Sequence, residues 1–477
     1  MNPWVATFIY ACGIAGLFFL DRDKTLRTSK ALWIPVLWLL IIGSRGPTVW
    51  LGLSPPAGSD VQMDGTPLDR IIFLALQAAG VIVLVQRGRK AIAALRANWP
   101  IVLFFAFGLM SVFWSDFPDV SAKRWIKAIG DVVMVLIIVT DPNPAGAFKR
   151  IISRVGFILL PASVLLIKYF PDLGRRYDPW VGTTMYVGVT TSKNLLGVIV
   201  FVLSVGALWC VLTLLQDKGY PGRSRHLVAQ GTLLGIGLVL LVMSNSATSR
   251  ASFAMAAFLM VATRIPFIRR RPGAVHTLVF VIMIIGGSAM LLGGGSGVAH
   301  ALGRNGDLTG RTEIWQEIIP MAPNAILGAG FESFWLGPRL AQIWAANAGN
   351  PLNEAHNGYI EIYLNLGWAG LILMALILVT GYRRAALAFR RDPTIGGMLL
   401  AYVGAATIYS LTEAGFRMLN PMWVFLLFAI FAASSLVSGV ITADTKAEAS
   451  ELLSVRPRVA LPTARNALNV GSFRGNP

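Results

Sequence analysis

Apolar positions in this chain fall in long uninterrupted blocks, and polar positions are confined to the gaps between them. Neither the period-two alternation of a half-buried strand nor the one-sided stripe of a soluble helix dominates. A helix needs about 20 mostly apolar residues to cross a bilayer. Thirteen blocks qualify as candidates, at 4–20, 31–48, 69–86, 99–114, 125–140, 152–170, 194–215, 227–244, 250–268, 275–293, 357–381, 396–413 and 421–440. The pattern predicts an all-α polytopic membrane bundle of about 12–13 spans. It divides the chain into N-terminal helices over 1–234, a central region 235–375, C-terminal helices over 376–440 and a basic tail over 441–477. The tail is polar, carries Pro457 and Pro462, and is expected to be poorly ordered.

The gaps are not equivalent. The loops at 21–30, 87–98, 141–155, 216–226, 264–274 and 382–395, with the tail, hold 27 of the 41 Lys and Arg residues. Such an excess marks the cytoplasmic side. It predicts an external N-terminus and a cytoplasmic C-terminus, with 45–68, 115–124, 171–193, 245–250, 294–356 and 414–420 outside. The long outer loop 294–356 contains Trp, Ile and Phe positions suited to short amphipathic helices lying on the bilayer or capping the core.

Composition supports this reading. Charged residues make up 13% of the chain and apolar residues 55%, whereas soluble domains carry about 25% charged residues. The net charge of +18 is explained by cytoplasmic loops, so no nucleic-acid partner is implied. Cys12 and Cys210 lie inside apolar runs and give neither a disulfide framework nor a metal site. The first apolar run has no basic segment before it and reads as a retained helix rather than a leader.

The candidate chemistry lies in the outer loops. Of four histidines, His226 and His276 fall at cytoplasmic helix ends, and His300 and His356 fall outside. An imidazole titrates near neutral pH and suits a general base. His356 stands at the mouth of a helix, with Tyr363, Gly367 and Gly370 near its face and a second polar stripe of Asn357, Glu361 and Asn365. Glycines at that spacing would let a neighbouring helix approach closely. The other reading is an interfacial histidine capping a helix.

Outer arginines are the second signal, because sorting depletes them there. Arg250 in "SNSATSRAS" and Arg311 in "LTGRTEIW" offer planar donor forks matched to phosphate oxygens. Arg45, Lys193, Asn194, Asn357 and Arg417 are further candidates for substrate contact; for the cations, the bland alternative is snorkelling to headgroups. Outer carboxylates at Asp60, Asp64, Asp69, Asp116 and Asp119 could serve a divalent ion, but without paired histidines no metal site is expected. No GxSxG, HExxH or CxxC sequence occurs, and "GGGSG" lacks the ending of a phosphate-binding P-loop.

These residues resemble the O-antigen ligase and polysaccharide polymerase superfamily of bacterial envelopes. Its motif of His, then Asn, Ser or Gln, nine residues, Gly, two residues and Gly is matched by His356-Asn357, Gly367 and Gly370. Ser249-Arg250, Gly310-Arg311 with Trp315, and "ILGAGFESFW" match further elements over about 235–375, while "SKNLLG" is similar to the exopolysaccharide polymerase branch. The resemblance implies a C-type glycosyltransferase-like bundle with a crown from the long loop. It implies a donor glycan on undecaprenyl pyrophosphate, inverting attack by an acceptor hydroxyl at the outer face of the bacterial inner membrane, and no metal or nucleotide cofactor. In that reading His356 is the catalytic base and Arg250 and Arg311 hold the pyrophosphate. A flippase and a chain-length regulator of the same pathway would be partners.

Two alternatives stay open at this stage: ligation to lipid A core or a protein, and a lipid-linked sugar flippase or transporter. A transporter calls for ionisable groups at mid-membrane; here charges cluster at helix ends, with Glu361 the main exception.

Overall fold

The computed structural model describes residues 1–23, 26–53, 66–177, 182–291, 309–347 and 352–438. The basic tail, Asp60, Asp64 and His300 lie outside the described residues.

Helices form wherever the apolar blocks run, since a chain in lipid must satisfy its backbone hydrogen bonds internally. In chain order they are α1 (Pro3–Leu20), α2 (Trp33–Ile42), α3 (Pro67–Gln86), α4 (Trp99–Met110), α5 (Pro118–Val139), α6 (Pro144–Tyr169), α7 (Lys193–Gln216), α8 (Arg223–Met243), α9 (Ala247–Ala262) and α10 (Pro272–Leu291). After these come α11 (Thr309–Ile318), α12 (Gly337–Ala346), α13 (Gly358–Arg391), α14 (Pro393–Tyr409) and α15 (Pro421–Ser438). Proline at the first turn starts many of them, where its missing N–H costs nothing.

The protein is a multi-pass helical membrane protein. Among the described residues seven helices are long and apolar enough to cross a bilayer alone, or eight if one bent pair is a single span. The remaining predicted spans are shorter or more polar helices. In the bent pair, Gly88–Ala97 and Trp99–Trp114 meet at 87°. The turn is built at Asn98, whose fully buried amide donates to the Ala94 carbonyl at 2.8 Å and accepts from Arg384 at 2.6 Å and Ser434 at 2.7 Å.

The centre of the bundle is α7, α14 and α15, whose side chains are buried almost throughout. Phe148 stacks on Phe428 with ring centroids 4.4 Å apart, and the buried Tyr402 hydroxyl donates to the Val202 carbonyl at 2.8 Å. At the periphery α1 and α3 expose Trp4, Phe8, Ile71 and Val85, as lipid-facing helices must.

A second, smaller core of Ile318, Phe334, Trp335, Leu340, Ile343 and Leu364 joins α11, α12 and the start of α13. Short helices capping the bundle were expected in 294–356, and the described part of that loop forms them. One small departure from an all-α chain is a hairpin, β1 (Arg175–Tyr177) and β2 (Thr184–Tyr186), paired antiparallel with Arg175 opposite Tyr186.

The crown is fastened to α13 at a break. Gly367 has φ +62° and ψ −161°, which splits the helix. The freed backbone takes bonds from the loop: Trp368 N–H donates to the Ala325 carbonyl at 2.9 Å and Ala369 N–H to Ile326 at 3.1 Å. In return Ala329 N–H donates to Leu364 at 3.0 Å and Gly330 N–H to Asn365 at 2.9 Å. A Cβ on Gly367 would collide with the Ile326 carbonyl. Gly367 of the histidine motif therefore admits a loop backbone, and a Cβ on Gly370 would meet Leu366 of its own helix, so neither glycine meets the neighbouring helix that their spacing suggested.

Candidate functional site

The mouth of α13 is set by Asn357. Its side-chain oxygen accepts from Tyr359 N–H at 2.9 Å and Ile360 N–H at 3.1 Å, capping the helix. Its amide nitrogen donates to the Leu411 carbonyl at 3.0 Å, and Gly358 N–H donates to Ser410 at 2.7 Å. Helix capping thus occupies the Asn357 side chain that was a candidate for substrate contact. His356 lies one residue before the cap, in a left-handed conformation with φ +48°. The turn swings its ring out of the helical path and toward the loop between α14 and α15.

There His356 Nδ1 lies 3.0 Å from Glu354 Oε1 and 3.3 Å from Glu413 Oε2. Glu413 Oε1 accepts from Arg311 at 2.9 Å, and Asn194 donates to Glu413 Oε2 at 3.3 Å. Arg311 also donates to the Thr412 carbonyl. The Thr412 hydroxyl bonds Thr248 at 2.8 Å, which fixes the first turn of α9, where Arg250 sits. Arg250 reaches Asn245 Oδ1 at 3.3 Å. Four stretches, at 194, 248–250, 311 and 354–356, therefore converge on Thr412 and Glu413.

Burial alone would push the His356 imidazole down, but the bonds and charges of Glu354 and Glu413 outweigh it and raise it to about 10. Glu354 is held below the usual carboxylate range by His356, Arg417 and Arg311, against the upward push of burial. Both carboxylates approach Nδ1, and among the described residues no hydrogen bond uses Nε2. The arrangement fixes one nitrogen and presents the other.

Behind this cluster Arg417 pairs with Glu332 at 3.3 Å and with Glu354 at 3.7 Å, and donates to the Asn353 carbonyl at 3.0 Å. Arg417 is therefore a support for Glu354. The polar stripe on α13 is likewise turned to the crown: Glu361 accepts from Trp335 Nε1 at 3.0 Å and from Ala355 N–H, and Asn365 accepts from Phe334 N–H at 3.0 Å. Arg417, Glu332, Glu361 and Asn365 line one cavity together with Phe331, Phe416 and Trp423.

The remaining candidates separate. Lys193 is the first residue of α7, beside Asn194 and the Ser192 cap, and so stands next to the cluster. Arg45 lies on the hairpin side, 6% exposed, donating to the Leu173 and Gly188 carbonyls. Asp116 pairs with Arg339 at 2.7 Å and Asp69 accepts from Thr48 at 2.7 Å, so these acids do not gather into an ion site. Glu354, His356 and Glu413 do place three ligand atoms within 4.8 Å of one another. Their charge is already met by Arg311, Arg417 and the imidazolium, which opposes entry of a cation.

Glu354 and Glu413 were not legible as site residues. Glu354 precedes the histidine by two positions, and Glu413 precedes Arg417 in "TEAGFR". Backbone strain offers a further marker available only in the structure. Among the described residues, the non-glycine residues with positive φ are Asn245, Glu332, His356 and Leu419. Asn245 holds Arg250, Glu332 holds Arg417, and Leu419 follows Arg417 by two residues. Such conformations persist where surroundings over-determine them, often at working sites.

The structure is a helical membrane bundle that gathers a histidine, carboxylates and arginines at the mouth of one helix. The O-antigen ligase family model matches residues 231–375. The exopolysaccharide production protein ExoQ of Rhizobium meliloti (strain 1021) is 30% identical over 337 residues, covering 66% of this chain and 72% of that protein. The chain belongs to the O-antigen ligase family of membrane glycan ligases and polymerases.

Proposed function

We propose that this protein transfers a glycan from undecaprenyl pyrophosphate to an acceptor sugar hydroxyl with inversion, polymerising a surface polysaccharide or exopolysaccharide. The observation that carries the reading is the convergence of His356, Glu413 and Arg311 at one helix mouth. The crown end faces the periplasm and the C-terminus the cytoplasm, in the bacterial inner membrane; the basic loops support this orientation.

The acceptor hydroxyl attacks the anomeric carbon as its proton passes to His356 Nε2. The new glycosidic bond forms on the face opposite the breaking bond to phosphate, and the lipid pyrophosphate departs with the electron pair. Glu413 and Glu354 hold Nδ1 and stabilise the imidazolium that results. Arg311 and Arg250 face charge that grows on the leaving group. Arg311 is positioned by Glu413, the same carboxylate that orients the base, so the acid–base and anion-binding parts are held in one frame.

The name of the Rhizobium relative favours exopolysaccharide polymerisation over ligation to lipid A core. A transporter is disfavoured because Glu361 and Asp131, acids buried inside predicted spans, are already engaged, Glu361 by Trp335 and Ala355 and Asp131 by Trp38 and Leu419. The deciding experiment is His356→Ala in purified, folded protein. Turnover of a lipid-linked glycan should fall about 10²–10⁴-fold, while donor binding stays near that of wild type. Near wild-type turnover would end the reading.

A further inference from the structure

Arg45 is a buried cation without a carboxylate. Its residue is 6% exposed, and its Nη2 donates to the carbonyls of Leu173 and Gly188. Nη1 is buried with no hydrogen-bond partner. Among the described residues no acid pairs with it; Asp69, on the neighbouring turn, is engaged by Thr48. The surroundings add positive charge. Burial and nearby Arg176 both push Arg45 below its usual value, and Arg175 and the exposed Arg176 lie side by side on β1. Trp50 covers the guanidinium with its ring centroid 5.1 Å away. A desolvated guanidinium with an open donor and no counter-charge is costly unless an anion completes it.

The position ties this feature to the site. Arg45 N–H donates to Val189 at 3.1 Å, and the same loop runs on to Asn194, which bonds Glu413. Five residues lie between Gly188 and Asn194, so the two points are within about 20 Å of one another. A ligand extended from the Glu413 cluster along this loop would reach Arg45.

We propose that Arg45, with Arg176 of the hairpin, forms an anion subsite that binds a carboxylate or phosphate group carried by the lipid-linked glycan. The subsite makes the protein selective for acidic repeat units. The inference rests on the glycan-transfer reading, and it deepens that reading by naming the substrate class. A phospholipid headgroup offers the same anionic oxygens, so the test separates the two sources.

The experiment measures binding, not turnover, so that loss of the catalytic reading and loss of this subsite are distinguishable. The probes are a short polyprenyl pyrophosphate bearing a glucuronic acid-containing oligosaccharide and its glucose counterpart. Each is bound to full-length protein in nanodiscs of phosphatidylcholine alone or with phosphatidylglycerol. Wild type should bind the acidic probe about tenfold or more tightly, the scale of a charge-assisted bond, in both lipid mixtures. Arg45→Gln and Arg176→Gln should each bring the acidic probe toward the neutral one. Arg176 is exposed and leaves the buried bonds of Arg45 to the loops intact, so its variant answers if Arg45→Gln misfolds. Loss of discrimination only in phosphatidylglycerol would assign the anion subsite to the lipid headgroup and overturn the glycan assignment. Equal affinity of both probes in wild type in both lipid mixtures would overturn the subsite altogether.

Discussion

His356 Nδ1 lies 3.3 Å from Glu413 Oε2, though 57 positions separate the two residues. The second oxygen of the same carboxylate accepts from Arg311. Glu413 → Gln replaces one acceptor by a donor amide and loses the charge that both partners see. We expect kcat to fall about 10- to 100-fold, the worth of one or two bonds to charged groups, with smaller loss in Glu413→Asp. Single-turnover kinetics alongside donor binding checks this; unchanged kcat would place Glu413 outside the working site.

The pH dependence follows from the same contacts. A base whose pKa is raised to about 10 is mostly protonated at neutral pH, and its competent form grows as pH rises. The rate should therefore climb through neutrality toward an alkaline plateau, not level off near the ordinary imidazole value of about 6.5. Glu354→Gln removes one of the charges that raise the ring, so the plateau should arrive at lower pH. A profile flat from pH 6 to 9 in the wild type would contradict the assignment of the base.

Chelation should leave transfer unaffected. Glu354, His356 and Glu413 are close enough to hold an ion, but Arg311 and Arg417 already answer the two carboxylates. Excess EDTA should leave turnover unchanged. Activity that is lost on chelation and restored by magnesium or manganese would make these three residues ligands.

Gly367→Ala tests the break in α13. The position needs positive φ, and a Cβ there meets the Ile326 carbonyl. The strain alone costs about 1–3 kcal/mol, and the clash adds to it. Thermal unfolding in detergent should shift down, and the 325–330 loop should become more open to protease. Gly88→Ala, where no atom approaches, should be neutral by comparison.

The apolar blocks by themselves determined that this chain is a helical membrane bundle, because lipid leaves a single long segment no other way to satisfy its backbone. The spacing of His356, Gly367 and Gly370, with the Arg250 and Arg311 stretches, also singles out the candidate site in sequence. What those glycines do was decided by tertiary structure. A helical wheel assumes an unbroken helix, and Gly367 breaks it to receive the 325–330 backbone. In sequence Asn357 reads as a candidate for substrate contact; only the fold shows that its oxygen caps α13 and its amide nitrogen meets the Leu411 carbonyl. Glu354 and Glu413 passed unnoticed because a carboxylate near a helix end is ordinary in sequence. Its meaning comes from charge at about 3 Å at a partly buried helix mouth, where Coulomb energy is larger than in bulk water. That proximity is created by folding, which brings the loop after α14 against the mouth of α13.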